Sequence, residues 1–178
     1  MNRVILKSER NDWRTPPELF SAIKARWNIE FNLDAAASPE NHLCRRFWSK
    51  DSDSLSQKWC GNVWCNPPYG RGVGRWVKKA LDESAEDHCD VVYLLINARP
   101  DTIWWHSYVT RSTKVVFLKG RVKFLHGDSG KPVNSSTAPS CIVIFDRNAN
   151  NTKPVFEHWD WRTYGEEYWK KWWKLENK

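Results

Sequence analysis

Asn66-Pro67-Pro68-Tyr69 is the stretch of this sequence best equipped for chemistry. Two successive prolines remove two backbone donors and fix two φ angles. Residues before proline are held extended. The product is a stiff loop with bare carbonyls and an aromatic ring at its tip. A planar exocyclic amine carries two N–H donors, and the Asn66 side-chain oxygen and the Pro67 carbonyl can accept both. Tyr69 can stack on the ring that bears the amine. Holding both hydrogens draws the nitrogen toward sp³ geometry and aims its lone pair at an electrophile. The plain alternative is a proline-rich turn with Tyr69 packed on the surface, and four residues alone do not decide between them.

The elements around the motif determine where it sits. Residues 59–65 read as a short buried strand, so the motif leaves the sheet at the strand's carboxyl end, where open α/β sheets place their ligands. After Gly70-Arg71-Gly72, residues Val73, Trp76, Val77, Ala80 and Leu81 recur at helical spacing and predict an amphipathic helix. Residues 90–96 form a continuous apolar run, the pattern of a central parallel strand covered on both faces. Asn97-Ala98-Arg99-Pro100-Asp101-Thr102 follows, with a helix over residues 102–109.

Upstream, Thr15 fits a helix N-cap, Pro16 the first helical position and Glu18 the third position of a capping box. A helix is predicted from Pro16 to Arg26, with Leu19, Phe20, Ile23 and Trp27 on one face. Residues 30–34 alternate as a strand and end in Asp34-Ala35-Ala36-Ala37-Ser38-Pro39. Ser38 and Pro39 suggest the start of another helix, with Leu43 and Phe47 inside. An acid closing a strand before small residues is the shape of a nucleotide-type loop, although its usual glycines are absent. Residues 51–55 form an acidic turn. Downstream, residues 114–118 read as a strand, residues 119–125 as its continuation after Gly120, residues 126–140 as loop and residues 141–145 as a late strand. Residues 147–154 are polar, and a tail helix is expected at residues 166–175. Strands alternating with helices argue for a mostly parallel α/β sheet.

At 178 residues the chain suits one domain. Residues 1–11 read as a flexible arm, residues 111–140 as an insertion that contacts a polyanionic partner and residues 155–178 as a Trp-rich C-terminal segment. The net charge is +7. Between residues 111 and 131 lie Arg111, Lys114, Lys119, Arg121, Lys123 and Lys131 against the single acid Asp128. Such a basic run suits a polyanion. Alternation puts Arg121 and Lys123 on one face of a ribbon and Val122 and Phe124 on the other. The five cysteines show no CxxC or zinc spacing, which fits free thiols in a reducing cytosol. The five histidines form no HxH or HExxH pattern, so no metal site is assigned. No stretch reads as a signal peptide or a membrane span.

The combined motifs resemble the phage-type DNA N6-adenine methyltransferases, the phage Dam family. The likeness runs from Asp12 to Phe145. It rests on Asp12-Trp13-Arg14-Thr15-Pro16, Asn32-Leu33-Asp34-Ala35-Ala36-Ala37, Trp64-Cys65-Asn66-Pro67-Pro68-Tyr69, Ala98-Arg99-Pro100-Asp101-Thr102 with Trp105-His106, and Gly120-Arg121-Val122-Lys123-Phe124. The resemblance implies a single Rossmann-like domain, a mostly parallel sheet with helices on both faces, and the cofactor S-adenosylmethionine. It makes Asn66, Pro67, Pro68 and Tyr69 catalytic. It gives cofactor contacts to Trp13, Thr15 and Pro16 (motif X), to Asp34, Ala35 and Ala36 (motif I), to Asp53 (motif III) and to Asn66. The missing motif I glycine is a departure from the family pattern.

The implied reaction is methylation at N6 of an adenine flipped out of duplex DNA, in the cytoplasm of a bacterial host. Arg71, Arg99, Lys119, Arg121 and Lys123 are the residues expected to face the DNA. Rival readings are RNA adenine or cytosine N4 as substrate, a release-factor glutamine as substrate, and a non-catalytic nucleic-acid-binding domain of the same fold. The recognised site and the oligomeric state are not legible in the sequence.

Overall fold

The computed structural model describes residues 13–127, 129–132, 138–151 and 153–163. The arm expected at residues 1–11 and the tail helix expected at residues 166–175, with Trp169, Trp172 and Trp173, lie outside them.

In chain order the elements are β1 (Trp13–Arg14), α1 (Pro17–Trp27), β2 (Leu33–Asp34), β3 (Arg46–Phe47), β4 (Gly61–Cys65), α2 (Val73–Glu83), β5 (Cys89–Asn97), α3 (Ile103–Ser107), β6 (Lys114–Leu118), β7 (Leu125–His126), β8 (Ser140–Asp146) and β9 (Val155–Trp159). A seven-stranded sheet runs β3-β2-β4-β5-β8-β6-β9. All its strands are parallel except β8, which is antiparallel to both neighbours. The ends of β4, β5 and β6 and the start of β8 therefore share one edge. β1 and β7 pair antiparallel as a separate two-stranded ribbon.

The core has two layers. Val92, Leu94 and Ile96 of β5 face α2 and α3 through Val77, Ala80 and Trp105. Val91, Tyr93 and Leu95 face the other way, in a cluster with Leu19, Phe20 and Ile23 of α1. The continuous apolar run is thus a strand buried on both sides, as its composition requires.

Four expectations need correction. The capping box does not form: α1 starts at Pro17, its N-cap is Pro16 at ψ 129°, and no side chain caps it. Pro16 precedes a proline and is therefore held extended, which moves the first helical residue one place along. Thr15 is buried beside it, 5 % exposed. No helix begins at Ser38. Ser38 and Asn41 exchange backbone hydrogen bonds of 3.0 Å in a tight turn, and β3 follows. Residues 119–125 do not continue β6, because Gly120 turns the chain at φ +75°. The next pairing is that of Leu125 and His126 with β1, and Leu125 also bridges Pro132. The expected sidedness survives without the strand, with Val122 and Phe124 buried and Arg121 and Lys123 exposed. Finally, β9 was not expected. It is short and exposes Val155 and Phe156, so its pattern is not that of a core strand.

Within residues 111–140, Lys114–Leu118 belong to the sheet as β6. In the Trp-rich segment, Trp159 and Trp161 are core residues.

α2 and α3 meet closely at Gly74. A Cβ there would lie 2.9 Å from Trp104 Cβ and 3.1 Å from its Cγ. Gly74→Ala should therefore destabilise the fold by about 1–3 kcal/mol in urea unfolding. Gly72→Ala, whose added Cβ would meet only the Arg75 side chain at 3.7 Å, should have a much smaller effect.

Candidate active site

Asn66 follows β4 directly and is 8 % exposed. Its Nδ2 donates to the Trp13 carbonyl at 2.7 Å. That bond fixes which end of the amide is the acceptor. Oδ1 lies 3.1 Å from the Tyr69 hydroxyl, which also lies 3.4 Å from the Leu95 carbonyl. One phenolic proton can serve only one of these acceptors at a time. Burial pushes the Tyr69 hydroxyl well above its ordinary pKa, so it remains a donor. The ring does not stand free at the loop tip. It packs edge-on against Phe124 at 5.4 Å, and Phe124 in turn meets Trp13 at 6.1 Å. Among the described residues the Pro67 carbonyl accepts no hydrogen bond.

Beside Asn66 lies a cavity of about 670 Å³. Trp13 and Arg14 of β1, Ala36 after β2 and Trp48 after β3 form part of its wall, with Asp53, Pro68 and Trp76. Lys50 and Glu40 add one charge of each sign. Asp53 is exposed there and adopts a left-handed backbone, φ 46°, which Asp tolerates better than most residues. Arg14 ties three segments together across the cavity. Its Nε donates to the Gly127 carbonyl at 2.6 Å and its Nη1 to the Glu40 carbonyl at 3.2 Å.

Asp34 does not line the cavity. Its carboxylate turns inward and accepts the N–H groups of Ala36 at 3.3 Å and Leu43 at 3.0 Å. Asp34 therefore shapes the loop whose backbone and small side chains form the wall. Burial raises its pKa from 3.8 to about 6, against the two N–H groups and the charge of His42. The expected cofactor set thus divides. Trp13, Ala36, Asp53 and Asn66 meet at the cavity, while Thr15, Pro16, Asp34 and Ala35 do not line it.

The expected DNA-facing residues also divide. Arg71, Arg121 and Lys123 are exposed without an acidic partner among the described residues. Arg99 pairs with Asp101 at 3.1 Å and Lys119 with Asp160 at 2.7 Å. Sequence reasoning missed Arg14, Trp48, Lys50 and Trp76. Arg14 stood inside a quoted motif, but its role depends on carbonyls far away in sequence. Trp48 was hidden among thirteen tryptophans, and Trp76 was read only as part of the apolar face of α2. Among the described residues no group of three or more His, Cys, Asp or Glu is placed to hold a metal ion.

Comparison with known proteins gives a consistent result. The family model described as DNA N-6-adenine-methyltransferase (Dam) matches residues 3–163. A protein of Escherichia phage T1 named DNA N-6-adenine-methyltransferase is 30% identical over 152 residues, covering 76% of this chain and 62% of that protein. A protein of the same name from Haemophilus phage HP1 (strain HP1c1) is 28% identical over 145 residues, covering 80% and 83%. The match thus spans less than two thirds of the phage T1 relative.

The Asp34 pKa carries a stability consequence with a definite sign. Its folded value lies above 3.8, so the folded state binds the proton more tightly. The stabilisation is complete below the unfolded pKa and is lost as pH rises through about 6. Asp34→Asn cannot titrate. In urea unfolding from pH 7 to pH 4.5, the wild type should gain on the order of 2 kcal/mol relative to Asp34→Asn. A pH-independent difference would show that the carboxyl is not desolvated.

Proposed function

The chain belongs to the DNA N-6-adenine-methyltransferase (Dam) family, whose model covers residues 3–163, and we propose that it transfers a methyl group from S-adenosylmethionine to N6 of an adenine flipped out of duplex DNA. The observation that carries this reading is the Asn66 amide. It stands at the wall of the cavity with its nitrogen held by Trp13, so that its oxygen is the acceptor. The cavity is of a size usual for small-molecule sites. Its aromatic walls, Trp48 and Trp76, suit an adenine ring, and the Asp53 carboxylate in the same lining suits an exocyclic amine. Arg14 and Lys50 suit a carboxylate, and Glu40 suits an ammonium. The loop of Ala36 and Ala37 lets a ligand approach the backbone closely.

S-adenosylmethionine supplies an electrophilic methyl group, and the protein's part is to hold a nucleophile in line with it. Asn66 Oδ1 and the free Pro67 carbonyl accept the two amine hydrogens. Tyr69 must first leave Asn66 Oδ1, and its ring then stacks on the base that has taken its place there. Adenine within a duplex cannot reach this loop, so it arrives flipped. Arg71, Arg121 and Lys123 lie exposed around the carboxyl edge of the sheet, where phosphates would pass. The Rossmann-like reading of the fold rests on the same family membership together with the mostly parallel sheet.

Asn66→Ala should lower kcat by more than about a hundredfold while cofactor affinity changes little. Tritium transfer to DNA and calorimetric titration would measure the two separately. Near-normal turnover would refute the assigned role of the loop. Sequencing of DNA from cells expressing the protein would identify the methylated base and its sequence context.

The DNA-facing assignment has its own test. Arg121→Gln with Lys123→Gln should weaken binding to all duplexes alike and reduce the log–log salt slope by about two. An unchanged slope would place these charges away from the DNA.

A further inference from the structure

The proposed reaction needs two substrates on opposite sides of Asn66. The cavity lies over the ends of β2, β3 and β4, through Ala36, Trp48 and Asn66. In-line transfer leaves the other side, over the end of β5 and the start of β8, for the base. There the sheet holds two polar groups that no described residue satisfies. Asn97 and Ser140 are register partners in the antiparallel pair. Asn97 Oδ1 and Ser140 Oγ are both buried, and among the described residues neither has a hydrogen-bond partner. Ser140 is 1 % exposed.

Strand alternation sets both on the face of the sheet that carries α1. Asn97 follows Tyr93 and Leu95, and Ser140 precedes Ile142 and Ile144, all in that layer. Tyr69 packs on the same layer, with its hydroxyl 3.4 Å from the Leu95 carbonyl. Asn97 lies two residues further along that strand, about 6.6 Å by strand geometry. Buried polar groups are rarely left unpaired, and a pair of them side by side calls for a shared partner.

We propose that Asn97 and Ser140 read the ring nitrogens of the target adenine after Tyr69 has turned aside. This rests on the function proposed above. The ring nitrogens of adenine are acceptors only, and the Ser140 hydroxyl supplies a donor. Among the described residues no hydrogen bond fixes the Asn97 side-chain oxygen, so the amide can turn its Nδ2 to supply another. Asn66 and the Pro67 carbonyl remain for the amine. The pair thus recognises the base itself, separately from the groups that orient its nitrogen.

The signature is a divergence between stability and activity. Removing an unpartnered buried hydroxyl is neutral or stabilising. Ser140→Ala should therefore keep or raise the thermal midpoint and leave S-adenosylmethionine affinity unchanged. Its kcat/KM on a duplex carrying the methylated site should nevertheless fall about tenfold or more. Duplexes with 1-deazaadenine or 7-deazaadenine at the target supply a second readout. One of them should penalise the wild type, and that penalty should disappear in Ser140→Ala or Asn97→Ala. The analogue comparison with Asn97→Ala decides if the Ser140 variant does not fold. A kcat/KM within twofold of wild type in both variants would overturn the proposal. So would a lower midpoint with unchanged activity, the mark of a bridging water only. A wild type that methylates no adenine would instead overturn the function on which the proposal rests.

Discussion

The site depends on one hydrogen bond between distant parts of the chain, Asn66 Nδ2 to the Trp13 carbonyl. An asparagine amide has nearly the same shape at either end, and only a fixed donor makes the other end a reliable acceptor. Supplying that carbonyl obliges the chain before α1 to cross the carboxyl edge of the sheet. A two-residue segment cannot hold that position alone. It is held by pairing with β7, by Arg14 reaching Gly127 and Glu40, and by Trp13 meeting Phe124. The excursion between β6 and β8 is therefore a structural support of the site as well as a basic surface.

The same economy governs Asp34. A carboxylate at a strand end could touch a ligand, but here it spends both oxygens on backbone N–H groups of the following loop. The loop contributes backbone and small side chains to the cavity, and the acid stays in the interior. Where a glycine-rich turn would give such a loop its shape through backbone freedom, this chain uses an internal carboxylate.

Much of this was legible in the sequence, because local chemistry and burial pointed the same way. The strand over residues 61–65, the amphipathic α2 and the apolar β5 all follow from periodicity, and the site motif lies at the strand end where topology requires it. The failures have identifiable causes. Ser38-Pro39 looked like a helix start, but the demand of Asp34 for the Leu43 N–H prevailed over local propensity. Gly120 looked like a break within a strand and proved to be the end of one. β9 gave no signal, because an edge strand takes its stability from pairing with β6 rather than from its own pattern. Long-range partners such as those of Arg14 could not be read from any window of residues.

Tyr69 in its resting position has a consequence for selectivity. Its hydroxyl lies 3.1 Å from Asn66 Oδ1, the acceptor that the proposed reaction gives to an incoming amine. A small amine from solution would have to displace a phenol packed against Phe124, and it would bring no ring contacts in exchange. A purine brings a stacking surface comparable to the one it disrupts. Discrimination on this account is exercised by competition for an occupied place, before any methyl group moves.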